Sequence, residues 1–205
     1  MRKFFVYKTI PLEQINQLVN IEPKLAHLLD LSKPFTVRIM PNHYHCIIHS
    51  IISQQLTSAA VDSIWHKLVF NFPKMDEHSI AKSSIEQLNT IGLSPQKASL
   101  IKKITYAIID KKINLKKMEK MDNQAIHDVL IEYKYLGEWT IAMILIFTYF
   151  RTDILPITDF GIRKGLCKLY QQEKISDVFI DKLRERLGNY ATLFSFCLWR
   201  INQNV

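Results

Sequence analysis

Two carboxylates sit in Asp153-Ile-Leu-Pro156-Ile-Thr-Asp159, directly after the longest apolar run of the chain, Ile141–Phe150. A carboxylate placed just after a buried helix and a proline kink can be aimed into a cleft. There it can take a proton from water or steady a positive charge that grows in a transition state. Upstream, Leu136-Gly137 reads as a tight turn that opens onto a helix at Trp139-Thr140. The N–H groups of such a turn and of the helix start behind it can hold a phosphate. Together these residues point to a chain that grips a nucleic-acid backbone and acts on the nucleotide beside it.

The elements that must position these groups read as helices almost throughout. Pro11 and Pro23 each open a helix at its first turn. An apolar helix spans His45–Ser53, Gln54-Gln55-Leu56-Thr57 breaks it, and Thr57 caps a helix from Ser58 to about Phe70. Asp76–Ala81 and Ser84–Thr90 are short helices. Ser94-Pro95 starts a longer one that reaches Ile109, and Asp122 starts another that ends near Tyr133. The Trp139 helix runs to about Phe150, and further helices cover Phe160–Tyr170, Ser176–Leu187 and Tyr190–Asn202. Ser32–Pro41 is extended or looped, and Phe4–Thr9 is the single weak strand candidate.

Bulk composition agrees with a helical globular protein. Of 205 residues, 48% are hydrophobic and 22% charged, which excludes a disordered chain, and only 5 are glycine, which disfavours sandwiches and barrels. The net charge of +8 suits a polyanionic partner. Cys46, Cys167 and Cys197 lie far apart, so neither a disulfide framework nor a four-cysteine iron–sulfur cluster is expected. The apolar run Ile141–Phe150 is about half of the roughly 20 residues a membrane span needs. The reading is a soluble intracellular protein, in the cytoplasm with the nucleoid or in a nucleus, and not secreted.

Two other clusters invite a functional reading. Lys97, Lys102, Lys103, Lys111, Lys112, Lys116, Lys117 and Lys120 form a basic interval, either a phosphate-facing surface or a solvated face. His45, Cys46 and His49 have helical metal-ligand spacing, but nothing nearby supplies a fourth ligand cleanly, so ordinary surface or core histidines are expected and no metal is assigned.

Three stretches in order resemble the helix-hairpin-helix DNA glycosylases. Ser50-Ile-Ile-Ser-Gln54-Gln55-Leu56-Thr57 with Ala59-Ala60 resembles their signature helix and loop. Leu136-Gly137-Glu138-Trp139-Thr140 resembles their hairpin, and Asp153–Gly165 their catalytic aspartate segment. Ile91–Ala98 adds a fourth match. Within that family the chain is most similar to the DNA-3-methyladenine glycosylases of the alkylation-repair type, in their compact all-helical form.

The resemblance implies an all-α, two-lobed fold with the active site in the inter-lobe cleft. One lobe would hold residues 43–150, and residues 1–42 with 151–205 would form the other. It implies a monofunctional glycosylase that removes alkylated purines, of the 3-methyladenine and 7-methylguanine type, from double-stranded DNA in base excision repair. Asp159 matches the catalytic aspartate. Trp139 stands where relatives that also cut the backbone have a Schiff-base lysine, so no lyase step is expected. Trp139, Trp199 and Phe35 are candidates for the base pocket, and Trp65 reads as buried. Gln55, with Leu56 as the alternative, would wedge into the gap left by the extruded base. Lys134, Leu136, Gly137 and Thr140 would meet the DNA backbone. No cofactor is implied beyond a monovalent cation at the hairpin, and the enzyme is expected to act as a monomer.

Departures from the family pattern bear on substrate range. The hairpin stretch Lys134-Tyr135-Leu136-Gly137 keeps only the second of two usual glycines, and Tyr135 tolerates a positive φ less well than glycine. Asn189-Tyr190-Ala191-Thr192 stands where relatives commonly have Pro-aromatic-Arg-Ser. Two rivals stay open: a DNA-damage-binding protein of this fold without turnover, and a glycosylase for a different base lesion.

Overall fold

The computed structural model describes residues 4–29 and 35–203. Its packing divides the chain into two compact units, Met40–Ile144 and the combination of Met1–Ile39 with Leu145–Val205.

The unit Met40–Ile144 is built from helices α2–α8 and most of α9. Its ranges are α2 His43–Ser53, α3 Ser58–Asn71, α4 Glu77–Lys82, α5 Ile85–Thr90, α6 Pro95–Ile109, α7 Leu115–Met118, α8 Asn123–Ile131 and α9 Glu138–Phe147. Nearly every helix start is written in the local sequence. Asn42, Thr57, Asp76, Ser84, Ser94, Asn114 and Asp122 each accept a backbone N–H with their side chains. Ser84 and Gln87 form a reciprocal capping box. The apolar face of α2 (Ile47, Ile48, Ile51) is buried, as are Leu68 of α3 and Leu100, Ile101 and Ile104 of α6. Helices α2, α3 and α6 pack around these residues, with α4 and α5 against α6.

The other unit has α1 Leu12–Ile21, α10 Phe160–Tyr170, α11 Asp177–Leu187 and α12 Ala191–Gln203, with the last turn of α9. Leu18, Leu25, Ile162, Leu166, Leu183, Phe194 and Leu198 form its core. Gly165 lets α10 and α12 touch: a Cβ there would lie 2.9 Å from Leu198 Cβ and 3.0 Å from Leu198 O. Glu22, only 3% exposed, accepts from Tyr170 Oη at 2.5 Å and pairs with Arg186, so a buried charge ties α1 to α10 and α11.

Four elements differ from the sequence reading, one of them α7 at Leu115–Met118, which that reading left out. Pro23–His27 is a 3-10 helix rather than an α-helix, because Leu25 and Leu28 donate at i−3 spacing. Phe35–Ile39, read only as extended or looped, is strand β2, paired antiparallel with β1 at Val6–Ile10 from Val6↔Ile39 to Ile10↔Phe35. The Ser32–Pro34 part of that segment lies outside the described residues. β2 pairs because its side chains alternate, with Phe35 in the core and Thr36 and Arg38 exposed. α9 ends at Phe147, short of Phe150, whose φ of 53° is left-handed. The fold remains all-α apart from this ribbon among the described residues.

Candidate active site

The segment that carries Asp159 is stapled before it reaches α10. Thr192 Oγ1, at the start of α12, accepts from Ile154 N at 3.0 Å and donates to Arg151 O at 2.7 Å. Ser195 Oγ, one turn on, lies 3.1 Å from Ile154 O. Thr192 is the last residue of the stretch that departs from Pro-aromatic-Arg-Ser, and its hydroxyl does this stapling. Leu155 and Pro156 are buried, and Asp159 N donates back to Pro156 O at 2.9 Å, closing a turn.

Asp159 is the N-cap of α10. Its Oδ1 accepts the Ile162 N–H at 2.9 Å and the Trp199 Nε1–H at 2.8 Å. Two donors from two helices therefore fix one rotamer of a half-buried carboxylate, at the end of a helix whose dipole favours negative charge. Gly161 makes the approach possible. A Cβ there would stand 3.0 Å from both Asp159 Oδ1 and Trp199 Cδ1. Asn202 Nδ2 secures the same turn by donating to Gly161 O at 2.7 Å.

Trp199 belongs to an aromatic group. Its ring stacks on Phe147 at 6.0 Å and 21°, and Phe196 lies 5.8 Å from each of the two rings. Phe160, the residue after Asp159, is 80% exposed. Asp159 and Trp199 are thus brought into direct contact. Phe35 instead lies in the core of the unit, 8% exposed, with the Arg200 guanidinium 4.8 Å above its ring. Asp153 is exposed.

Trp139 belongs to the unit Met40–Ile144, half-buried in the first turn of α9. The hairpin is α8, a turn and α9. Leu136 N donates to Tyr133 O at 2.9 Å, and Tyr135 takes φ 79°, as in the third position of a type II turn. That position normally holds glycine, so the left-handed backbone survives with a tyrosine in it. Gly137 has no positive φ; a Cβ there would meet nothing within 4 Å, so its surface is open. Leu136 is 2% exposed with its N–H already used, and Thr140 is also 2% exposed. These two shape the turn from inside, whereas Lys134 and Gly137 face solvent.

The loop between α2 and α3 is also exposed. Gln55 has φ 55° and is exposed, and Leu56 is 40% exposed. Behind them, Gln54 Nε2 donates to Tyr135 O at 3.0 Å and to Thr140 Oγ1 at 2.8 Å. Lys97 Nζ donates to Ile52 O at 2.8 Å and Gln54 O at 2.6 Å. Lys102 likewise turns inward to Ala81 O and Ser83 O, so two members of the basic interval are anchors rather than phosphate contacts. His45 meets Met75 O at 2.7 Å and His49 packs edge-on against buried Trp65 at 5.4 Å, so both half-buried rings are engaged in packing within the unit. Sequence reasoning gave no role to Gln54, Phe147, Phe196 or Asn202, and it read Lys97 only as part of the basic interval. Only Phe196 carried a local signal, one turn before Trp199 on the same helix face.

A sequence profile described as HhH-GPD superfamily base excision DNA repair protein matches residues 48–188. The chain is 31% identical over 197 residues to the alkylbase DNA glycosidase-like protein mag2 of Schizosaccharomyces pombe, covering 90% of each chain. It is 30% identical over 167 residues to DNA-3-methyladenine glycosylase 1 of the same yeast, covering 78% of this chain and 72% of that one. The structure of the S. pombe 3-methyladenine DNA glycosylase Mag1 in complex with abasic DNA superposes with a TM-score of 0.74 at 24% identity, over 92% of this chain and 94% of that one, which shows a shared fold. Among the described residues no helix is long and apolar enough to cross a membrane.

Proposed function

Since the chain belongs to the HhH-GPD superfamily of base excision DNA repair proteins, we propose that it is a DNA glycosylase that hydrolyses the N-glycosidic bond of alkylated purines in duplex DNA. The observation that carries this is Asp159, a half-buried carboxylate held by the Ile162 N–H and by the Trp199 indole, which packs with Phe147 and Phe196.

An alkylated purine such as 3-methyladenine already bears positive charge, so it leaves with the bonding electron pair and needs little help from an acid. The charge then passes to the deoxyribose. Asp159 steadies that oxocarbenium-like sugar, and it takes a proton from the water whose oxygen bonds to C1′. The Trp199 face binds an electron-poor base by cation–π attraction. No lysine nucleophile stands at position 139, so the reaction stops at the abasic site. Lys134 and the Gly137 end of α9 grip the phosphate backbone, and Gln55 or Leu56 fills the gap that base extrusion leaves.

The test is release of free base from alkylated duplex DNA, followed by alkali. Released base with strand breaks only after alkali is the expected result. Strand cleavage without alkali would refute the monofunctional reading. Damage-specific binding with no released base would replace the enzyme by a binding protein.

A further inference from the structure

The loop that carries Gln55 and Leu56 and the turn that carries Tyr135 are held together by two half-buried side chains whose polar ends meet oxygens of the protein itself. We propose that Gln54 and Lys97 are positioning residues that make the wedge loop and the phosphate-gripping turn one mechanical unit, so that capture of the backbone and extrusion of the base occur together. The inference rests on the wedge and hairpin roles proposed above.

Each half of the connection answers a specific backbone problem. The last carbonyls of α2 have no intrahelical partner. Lys97 fills that need, with Nζ 2.8 Å from Ile52 O and 2.6 Å from Gln54 O. Its cationic head also complements the negative end of the α2 dipole. Lys97 is itself fixed, because it lies in the first turn of α6, where Ser94 Oγ accepts its N–H at 3.3 Å behind Pro95. Burial lowers its pKa, as expected for an ammonium taken from water. The chain leaves α2 from this anchor, and the next residue, Gln55, is left-handed.

The second half is the side chain of Gln54. Its single NH2 group reaches Tyr135 O at 3.0 Å and Thr140 Oγ1 at 2.8 Å, 81 and 86 positions away in sequence. Tyr135 holds φ 79°, a strained conformation for a residue with a Cβ. The hydrogen bond to its carbonyl opposes the peptide rotation that would release this strain. The bond to Thr140 ties the same amide to the first turn of α9. Four hydrogen bonds thus run from α6 through the end of α2 to the turn and to the start of α9. A displacement of the hairpin by a phosphate is transmitted to residue 54, next to the wedge.

Two measurements test this, one without DNA. In Gln54→Leu, which removes the donor and keeps the bulk, amide exchange at Leu136 and Gly137 is expected to quicken about tenfold, with the global melting temperature little changed. Adding Tyr135→Gly, which takes a positive φ without strain, should return exchange most of the way to the parent rate. With duplex DNA carrying 2-aminopurine opposite an abasic site, Gln54→Leu should weaken both affinity and the extrusion signal about tenfold, and the Tyr135→Gly double variant should recover affinity but not extrusion, because the turn is restored and the link to the wedge loop is not. Lys97→Met should lose extrusion while it keeps duplex affinity. Unchanged turn exchange in Gln54→Leu, or an extrusion signal that Tyr135→Gly restores without the Gln54 amide, would overturn the coupling. If the parent protein neither binds nor extrudes DNA, the functional reading fails; the exchange arm still decides whether Gln54 holds the turn.

Discussion

Replacing Asp159 with asparagine separates its two roles. As a cap, the residue needs only a side-chain oxygen, and asparagine caps helices as well as aspartate does. The Ile162 N–H at 2.9 Å and the Trp199 Nε1–H at 2.8 Å can both bond an amide oxygen in place of Oδ1. Stability should therefore fall by no more than about 1 kcal/mol. The charge is what the substitution removes. A unit positive charge on the sugar about 4 Å from a carboxylate, at an effective dielectric of about 20, is stabilised by about 4 kcal/mol. That corresponds to roughly a thousandfold in the rate of bond breaking. The assay is single-turnover release of 3-methyladenine from alkylated duplex, with thermal unfolding and duplex affinity measured alongside. Asp159→Ala serves as the contrast: it loses cap and indole acceptor together, about 2 kcal/mol of stability. A folded Asp159→Asn protein that turns over within tenfold of the parent would refute the electrostatic role. An asparagine variant as unstable as alanine would refute the cap argument.

Other expectations follow from the same coordinates. Gly161→Ala forces Asp159 and Trp199 apart by a few tenths of an ångström; base release should drop at least tenfold with little change in melting temperature, and unaltered release would contradict the contact. Gly165→Ala places a methyl against the Leu198 backbone; denaturant titration should show a loss of about 1–3 kcal/mol from overpacking between α10 and α12. His127 Nε2 lies 2.8 Å from Glu138 Oε1 across the hairpin, and this hydrogen bond raises the imidazole pKa. The folded pKa lies above the unfolded one, so this stabilisation is complete below about pH 6.5 and disappears as pH rises through the raised value. The melting temperature of the parent should fall relative to His127→Gln across that window; parallel profiles would show that the pair contributes nothing.

Much of this architecture is legible in the chain because helix signals are local. Thr57, Ser94, Asp122 and Ser176 mark helix starts with caps whose partners lie three residues on. Asp159 is legible too, since a carboxylate before Phe-Gly-Ile has a near neighbour to cap and a motif around it. Strand β2 was harder, because a five-residue strand has meaning only beside β1, and their pairing joins residues far apart in sequence. The basic interval shows the same limit. Its lysines look alike in a line of letters, yet Lys97 and Lys102 turn inward to backbone carbonyls while Lys116 and Lys120 stay exposed.

What the sequence determined by itself was most of the helices, the acid and the turn, because capping, periodicity and turn chemistry act over three or four residues. What tertiary structure alone decided was who holds them: Trp199 on Asp159 from 40 positions away, and Gln54 on Tyr135 from 81. A side-chain hydrogen bond needs a partner within about 3 Å and with the right angle. For such distant residues only the packed helices set that distance and angle.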